Sequence, residues 1–300
     1  MRSIYLALIS VLGFLAGPGF AQVTAEQLAN TEIRSEQIGD GLYVLFGLGG
    51  NIGASIGAQG VLIVDTQFPE LVPKYRAALA ELGGADIDFA IDTHWHYDHA
   101  DGNQRLGPEG VWIIAQENSR AMMTRDKTIN TVTRPLIQQP AYSPMALPVA
   151  TFADKMTLHF NGETIDVMHF GPAHTSGDAA VFFRGHNAVH TGDVFISAGY
   201  PFVDADNGGD LSGMIVFLQS VLDELEPGAT VIPGHGRVTD SAALEQYVRM
   251  LTDVRNRIAA LVDDGASLEQ VIAAAPTADW DEYYGNPAAF INRAFTSLSR

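Results

Sequence analysis

The sequence predicts an α/β (α+β) fold in which two β-sheets pack face to face with helices outside. Three observations carry this. Short apolar runs crowd together ahead of an amphipathic helix, and the same order recurs in the second half of the chain. Gly-Gly pairs and Gly beside Pro punctuate the runs, as turns require. The 300 residues are 47% hydrophobic, enough for a large buried core in one domain or in two fused halves.

Taken in order, residues 25–34 form a polar lead-in. Strands are expected at 42–46, 52–56 and 61–64, parted by Gly49-Gly50 and Gln59-Gly60. Residues 71–82 carry apolar side chains at helical spacing and stop at Gly83-Gly84. A buried strand at 88–92 ends directly before a histidine cluster. Another strand is expected at 111–114, and 117–123 opens a helix. Between 126 and 150 stand Pro135, Pro140, Pro144 and Pro148 with few apolar repeats, so this stretch reads as a long loop or lid. Strands follow at 156–160, 164–170, 179–183 and 188–190. An amphipathic helix at 211–225 precedes a buried strand at 230–232. Helices at 241–263, 268–275 and 288–298 complete the chain.

The N-terminus reads as an export signal. Arg2 is followed by an apolar run over 4–16, then Gly17-Pro18-Gly19, and Gly19-Phe20-Ala21 ends in small residues. This is the layout of a secretory signal peptide over 1–21, cleaved after Ala21, which predicts a periplasmic protein. The run is shorter than the ~20 apolar residues a span needs, so no stable membrane insertion is expected after cleavage. The formal net charge is -18, which repels phosphate backbones and argues against nucleic acid as a partner. With no cysteine, disulfides, thiolate metal ligands and cysteine nucleophiles are excluded.

The chemistry is concentrated at His94-Trp95-His96-Tyr97-Asp98-His99, just past a strand end. Neutral imidazole and carboxylate oxygen suit zinc. His94 and His96 can point to one metal, and Asp98 and His99 to a second. Matching partners stand after other apolar strands: His174 in Gly171-Pro172-Ala173-His174-Thr175, Asp193 in His190-Thr191-Gly192-Asp193, and His235 in Pro233-Gly234-His235-Gly236. Counting ligands, His94, His96 and His174 fill one zinc but for an open position. Asp98, His99 and His235 serve the second, and Asp193 can bridge the two. The other histidines, His159, His169, His186 and His190, read as ordinary strand or surface residues.

The order His-x-His-x-Asp-His, Gly-x-x-His-Thr, His-Thr-Gly-Asp, Pro-Gly-His-Gly resembles the metallo-β-lactamase superfamily over about residues 40–240. The resemblance implies a four-layer αββα sandwich over 22–240, with 241–300 a C-terminal helical extension packed on the same domain. It also implies a pair of zinc ions and a small-molecule substrate. Asp65 matches a family acid near the metals and is expected to orient a ligand histidine. Asp193 stands where the cysteine-ligand lactamases carry Cys, and the bridging Asp resembles the glyoxalase II, lactonase and alkylsulfatase relatives. Tyr200-Pro201-Phe202-Val203-Asp204 and Gly208-Gly209 resemble exported members linked to sulfur or quinoprotein metabolism.

By this resemblance the protein is a zinc-dependent hydrolase that sends a metal-activated hydroxide at a small ester, lactone, thioester or β-lactam, with Asp98 passing the proton. Two other readings compete. One is an iron-dependent redox enzyme of sulfur metabolism, against which His96 stands, since the di-iron relatives typically have Glu there. The other is a non-catalytic periplasmic metal-binding accessory protein. Phe68, Tyr97, Tyr142, Tyr200 and Phe202, bulky residues near the motifs or in loops, are candidates to line the substrate pocket.

Overall fold

The structure is a computed structural model that describes residues 23–300. The expected signal peptide over 1–21 lies outside these. Helix α1 (Ala25–Asn30) leads in. Strands β1 (Arg34–Gly39), β2 (Leu42–Phe46), β3 (Ile52–Gly57) and β4 (Gly60–Val64) form an antiparallel meander. Helix α2 (Val72–Glu81) crosses to β5 (Ile87–Asp92), which lies parallel to β4. Two short helices, α3 (Tyr97–Ala100) and α4 (Asn103–Leu106), precede β6 (Trp112–Gln116) and α5 (Glu117–Met123).

The stretch read as a loop is built otherwise. A hairpin, β7 (Lys127–Ile129) with β8 (Ile137–Gln139), rises from it, and β9 (Ala150–Phe152) adds a parallel edge to the first sheet, ordered β1-β2-β3-β4-β5-β6-β9. The strands are three residues each, too short for a period-two pattern to stand out from the prolines. Between the polar lead-in and the first expected strand lies one more, β1, which the sequence reading did not predict because its composition is polar. It is an edge strand with an exposed face, so only its pairing with β2 declares it.

The second sheet runs β10 (Lys155–Phe160), β11 (Glu163–Met168), β12 (Ala180–Phe183), β13 (Ala188–His190), β14 (Thr230–Ile232) and β15 (Thr239–Asp240). Helices α6 (Leu211–Asp223), α7 (Ser241–Asp263), α8 (Leu268–Ala273), α9 (Asp281–Tyr284) and α10 (Ala288–Leu298) follow or interrupt it. Side chains alternate along the strands of the two large sheets and so divide into three cores, with a fourth around Trp95, Ile129, Ile137 and Tyr142. Leu62, Val181 and Phe183 point between the sheets, together with Ile91 and Val167. Ile63 faces Tyr75 and Leu79 of α2. Phe182 faces Phe217 of α6 and Leu251 of α7. Helix, sheet, sheet, helix is the four-layer αββα sandwich the sequence leads one to expect.

α7 shows how the outer layer is held. Its buried residues Leu244, Tyr247, Val248, Leu251, Val254 and Ile258 repeat at three and four, giving one apolar stripe. Asp240 caps it, its carboxylate accepting from the Ala243 amide at 2.9 Å. Helices beyond residue 240 share one core with β12, β13 and β14. Among the described residues no helix is long and apolar enough to cross a membrane.

Candidate metal centre

The carboxyl ends of β5, β11, β13 and β14 open on one side of the sandwich, and each leads into a loop bearing a motif residue. Beyond β5, His94 lies in a bend and His96 in extended backbone, and the turn of α3 carries Asp98 and His99. His174 arrives after β11, Asp193 after β13 and His235 after β14.

These seven side chains converge in overlapping groups. In one, His94, His96 and His174 offer ligand atoms within 4.8 Å of one another, and His174 Nε2 stands 2.9 Å from His96 Nδ1. In another, Asp98, His99 and His235 meet, with His99 Nε2 3.1 Å from His235 Nε2 and His235 Nε2 3.3 Å from Asp98 Oδ2. Asp193 lies between them. Its Oδ1 is 3.2 Å from His99 Nε2, and its Oδ2 is 3.4 Å from His235 Nε2 and 3.8 Å from His174 Nε2.

The outward nitrogens decide where the protons sit. His99 Nδ1 lies 2.7 Å from Asp65 Oδ2, His96 Nε2 lies 3.0 Å from Asp204 Oδ2, and His174 Nδ1 lies 2.7 Å from the Phe202 carbonyl. Carboxylates and carbonyls only accept, so each of these ring nitrogens carries the hydrogen. His94 Nδ1 meets the Thr93 hydroxyl at 3.0 Å. On His94, His96 and His174 the inward nitrogen is therefore the bare one, and His94 Nε2 and Asp193 Oδ1 are buried with no hydrogen-bond partner. Lone pairs this close repel unless a cation sits among them. The donor set, imidazole nitrogen and carboxylate oxygen, fits a divalent metal such as zinc.

The electrostatics divide the same way. Burial, with the neighbouring imidazoles of His99, His174 and His96, holds His94 well below the usual histidine range. Burial and His96 lower His174. Burial alone would depress His99, but the carboxylates of Asp193, Asp65 and Asp98 outweigh it and raise it well above that range. His235 is pushed up to about 10 against its burial, by Asp193 and Asp98. Burial opposes ionisation of Asp98, yet His99 and His235 hold its carboxyl at about 2. His94 and His174 are thus held neutral, while Asp98, His99 and His235 form a knot of mutually stabilised charges.

Asp65 touches what it was expected to touch, and more. Its carboxylate accepts from His99, from the Thr93 amide at 2.7 Å and from the Thr93 hydroxyl at 2.9 Å. Close packing is enforced by small residues: a Cβ on Gly50 would run into the His99 ring, and one on Gly234 into the Asp193 carboxylate. Asp204, fully buried, is the residue to which sequence reading assigned no role. It lies 108 positions from His96, so no spacing connects them. Its only signal is an acid set just ahead of Asn207 and Gly208-Gly209, a turn that needs no other reason for it.

A cleft of about 660 Å³ opens over the centre, lined by His96, Asp98, Asp193 and His235. Tyr97, Tyr200 and Phe202 line it as expected positions. Phe68 and Tyr142 do not. Phe68 is buried under α2, its ring 6.0 Å from that of Tyr97, and Tyr142 is buried with its hydroxyl donating to Asp101 at 2.7 Å. Both sit near the motif, but their side chains turn into cores, where large apolar area is removed from water. His190 is also buried, its Nε2 bonded to the Asn51 carbonyl at 3.0 Å, outside the converging set.

Comparison with known proteins agrees with this geometry. The metallo-beta-lactamase superfamily model matches residues 47–244. The chain belongs to the metallo-β-lactamase superfamily. The family is generally hydrolytic, and the matched span runs from the end of β2 into α7 and takes in all seven converging side chains. A relative, the Beta-lactamase-like protein 2 homolog of Drosophila melanogaster, is 26% identical over 192 residues. That alignment covers 62% of this chain and 59% of the relative, so the chain spans about three fifths of that protein's length. The DIM-1 metallo-beta-lactamase structure superposes with a TM-score of 0.58 at 19% identity, covering 74% of this chain and 97% of its own. The metallo-beta-lactamase from Pontibacter korlensis gives 0.59 at 16%, covering 74% and 100%. These likenesses show the superfamily fold.

Proposed function

We propose that this protein is an exported two-zinc hydrolase acting on a small ester, lactone, thioester or β-lactam. The observation that supports it best is the convergence of the seven side chains, with His96, His99 and His174 each oriented from outside by a buried acceptor and Asp193 lying between the two groups. His94, His96 and His174 would hold one ion, Asp98, His99 and His235 the other, with Asp193 shared. Zinc so held supplies Lewis acidity toward an acyl carbonyl and toward water.

The protein's own groups do the rest. Asp98, a carboxylate facing the cleft beside His235, can take a proton from attacking water and return it to the leaving group. The cleft holds a molecule of modest size, within the ~300–1,000 Å³ usual for small-ligand sites. The acidic surface keeps polyanions away. The leader over 1–21 supports export to the periplasm.

A panel of chromogenic esters, lactones, thioesters and lactams on zinc-reconstituted protein tests the reading, beside metal analysis. Turnover of at least one acyl substrate is expected, and His96→Ala loses activity and metal together. Iron in excess of zinc in native protein, or failure to take up any metal, would overturn it.

A further inference from the structure

One cation stands over the cleft. Among the residues that line it, Arg134 is the sole lysine or arginine, in a chain with 35 acids against 17 such bases. Its guanidinium is exposed and makes no ion pair or hydrogen bond among the described residues. The floor beneath is the metal centre, and the walls carry the apolar side chains of Ile129, Ile137, Ile196, Phe202 and Phe290 among polar ones from Thr131, Thr133 and Asn286.

The hairpin tip is shaped at some cost. Val132 has φ +67, a left-handed conformation that a β-branched side chain resists. A three-residue turn, with the Thr133 amide donating to the Thr131 carbonyl at 2.7 Å, holds it there. Thr131, Thr133 and Arg134, on either side of this strained residue, all line the cleft. Strain of this kind persists where surrounding structure over-determines it, and such places cluster at ligand clamps.

We infer that Arg134 is a specificity-determining residue. It recognises an anionic group, a carboxylate or its equivalent, at the end of the substrate away from the scissile bond. The substrate class is therefore an amphipathic acid derivative: an acyl group at the metals, an apolar body along the walls and a negative terminus under the guanidinium. This rests on the hydrolase reading for the acyl end and on the cleft alone for the anionic end. Arginine suits the second role because its planar fork meets two carboxylate oxygens at once.

The test is equilibrium binding rather than turnover, so that it can fail independently of the proposed reaction. Zinc-loaded wild type, Arg134→Gln and Arg134→Lys are titrated calorimetrically with hexanoate and with adipate. Each ligand presents one carboxylate to the floor, and only adipate carries a second at the far end. Adipate is expected to bind wild type on the order of tenfold more tightly, a bidentate charge-assisted bond discounted for exposure. Arg134→Gln should abolish the difference while leaving hexanoate unchanged, and Arg134→Lys should keep part of it. Equal binding of the two acids by wild type, a difference that survives Arg134→Gln, or no measurable adipate binding would overturn the proposal. If the Arg134-dependent difference holds while the ester panel shows no turnover, anion recognition stands and the hydrolase reading falls.

Discussion

Asp204→Asn isolates the least visible part of the centre. Asp204 is buried and accepts from His96 Nε2 at 3.0 Å, while Asn207 donates to both of its oxygens at 3.0 Å. The asparagine amide has one oxygen to offer two donors. If that oxygen serves Asn207, its NH₂ faces His96, and the imidazole moves its proton to Nδ1, the atom that meets His94 and His174. One charge-assisted hydrogen bond inside protein is worth about 1.5–3 kcal/mol. Loss of a partner behind a metal-ligating histidine typically costs about tenfold to a hundredfold in affinity, or about 1.4–2.8 kcal/mol, so the two ranges agree. Chelator competition should show the His94–His96–His174 group losing its ion that much more readily. The Asp98–His99–His235 group should hold its ion as before. Long-range proton–nitrogen correlation should show the His96 tautomer change. A folded Asp204→Asn protein that binds both ions within about twofold of wild type would refute the reasoning.

Asp65→Ala leaves the Thr93 amide, the Thr93 hydroxyl and His99 Nδ1 without their acceptor, and should cost about 3 kcal/mol in urea unfolding of the metal-free protein. Asp65→Asn should cost less, because asparagine tolerates the φ of +68 found there and keeps one acceptor. Acid stability follows from Asp166. Burial would raise its carboxyl, but the Thr157 hydroxyl, Lys155 and Arg184 outweigh that and hold it at about 2. Its folded value lies below the unfolded one of ~3.9, so its contribution is complete above about pH 4 and is lost as pH falls toward 2. Unfolding curves of Asp166→Asn and wild type should separate above about pH 4 and converge below about pH 2, and parallel curves would count against the pairing.

The converging set was legible because a dense cluster of histidines follows one strand and its distant partners each follow another in a setting of small residues. His174, Asp193 and His235 share that grammar although they are far apart in the chain. Helices such as α7 were legible from spacing. What escaped had no local pattern. β7 and β8 are three-residue strands among prolines, and β1 is a polar edge. Phe68 and Tyr142 lay near the motif, yet nearness in sequence says nothing of which side of a loop a side chain takes.

The chain by itself determined the chemistry: imidazoles and carboxylates in a set order, no thiol, an acidic surface and two sheets' worth of alternating apolar residues. These are properties of composition and short-range period. Only tertiary structure decided that Asp204 stands behind His96, that Arg134 overhangs the cleft, and that Phe68 and Tyr142 turn away. Each of those depends on segments distant in sequence packing together, and no local periodicity encodes the geometry of that meeting.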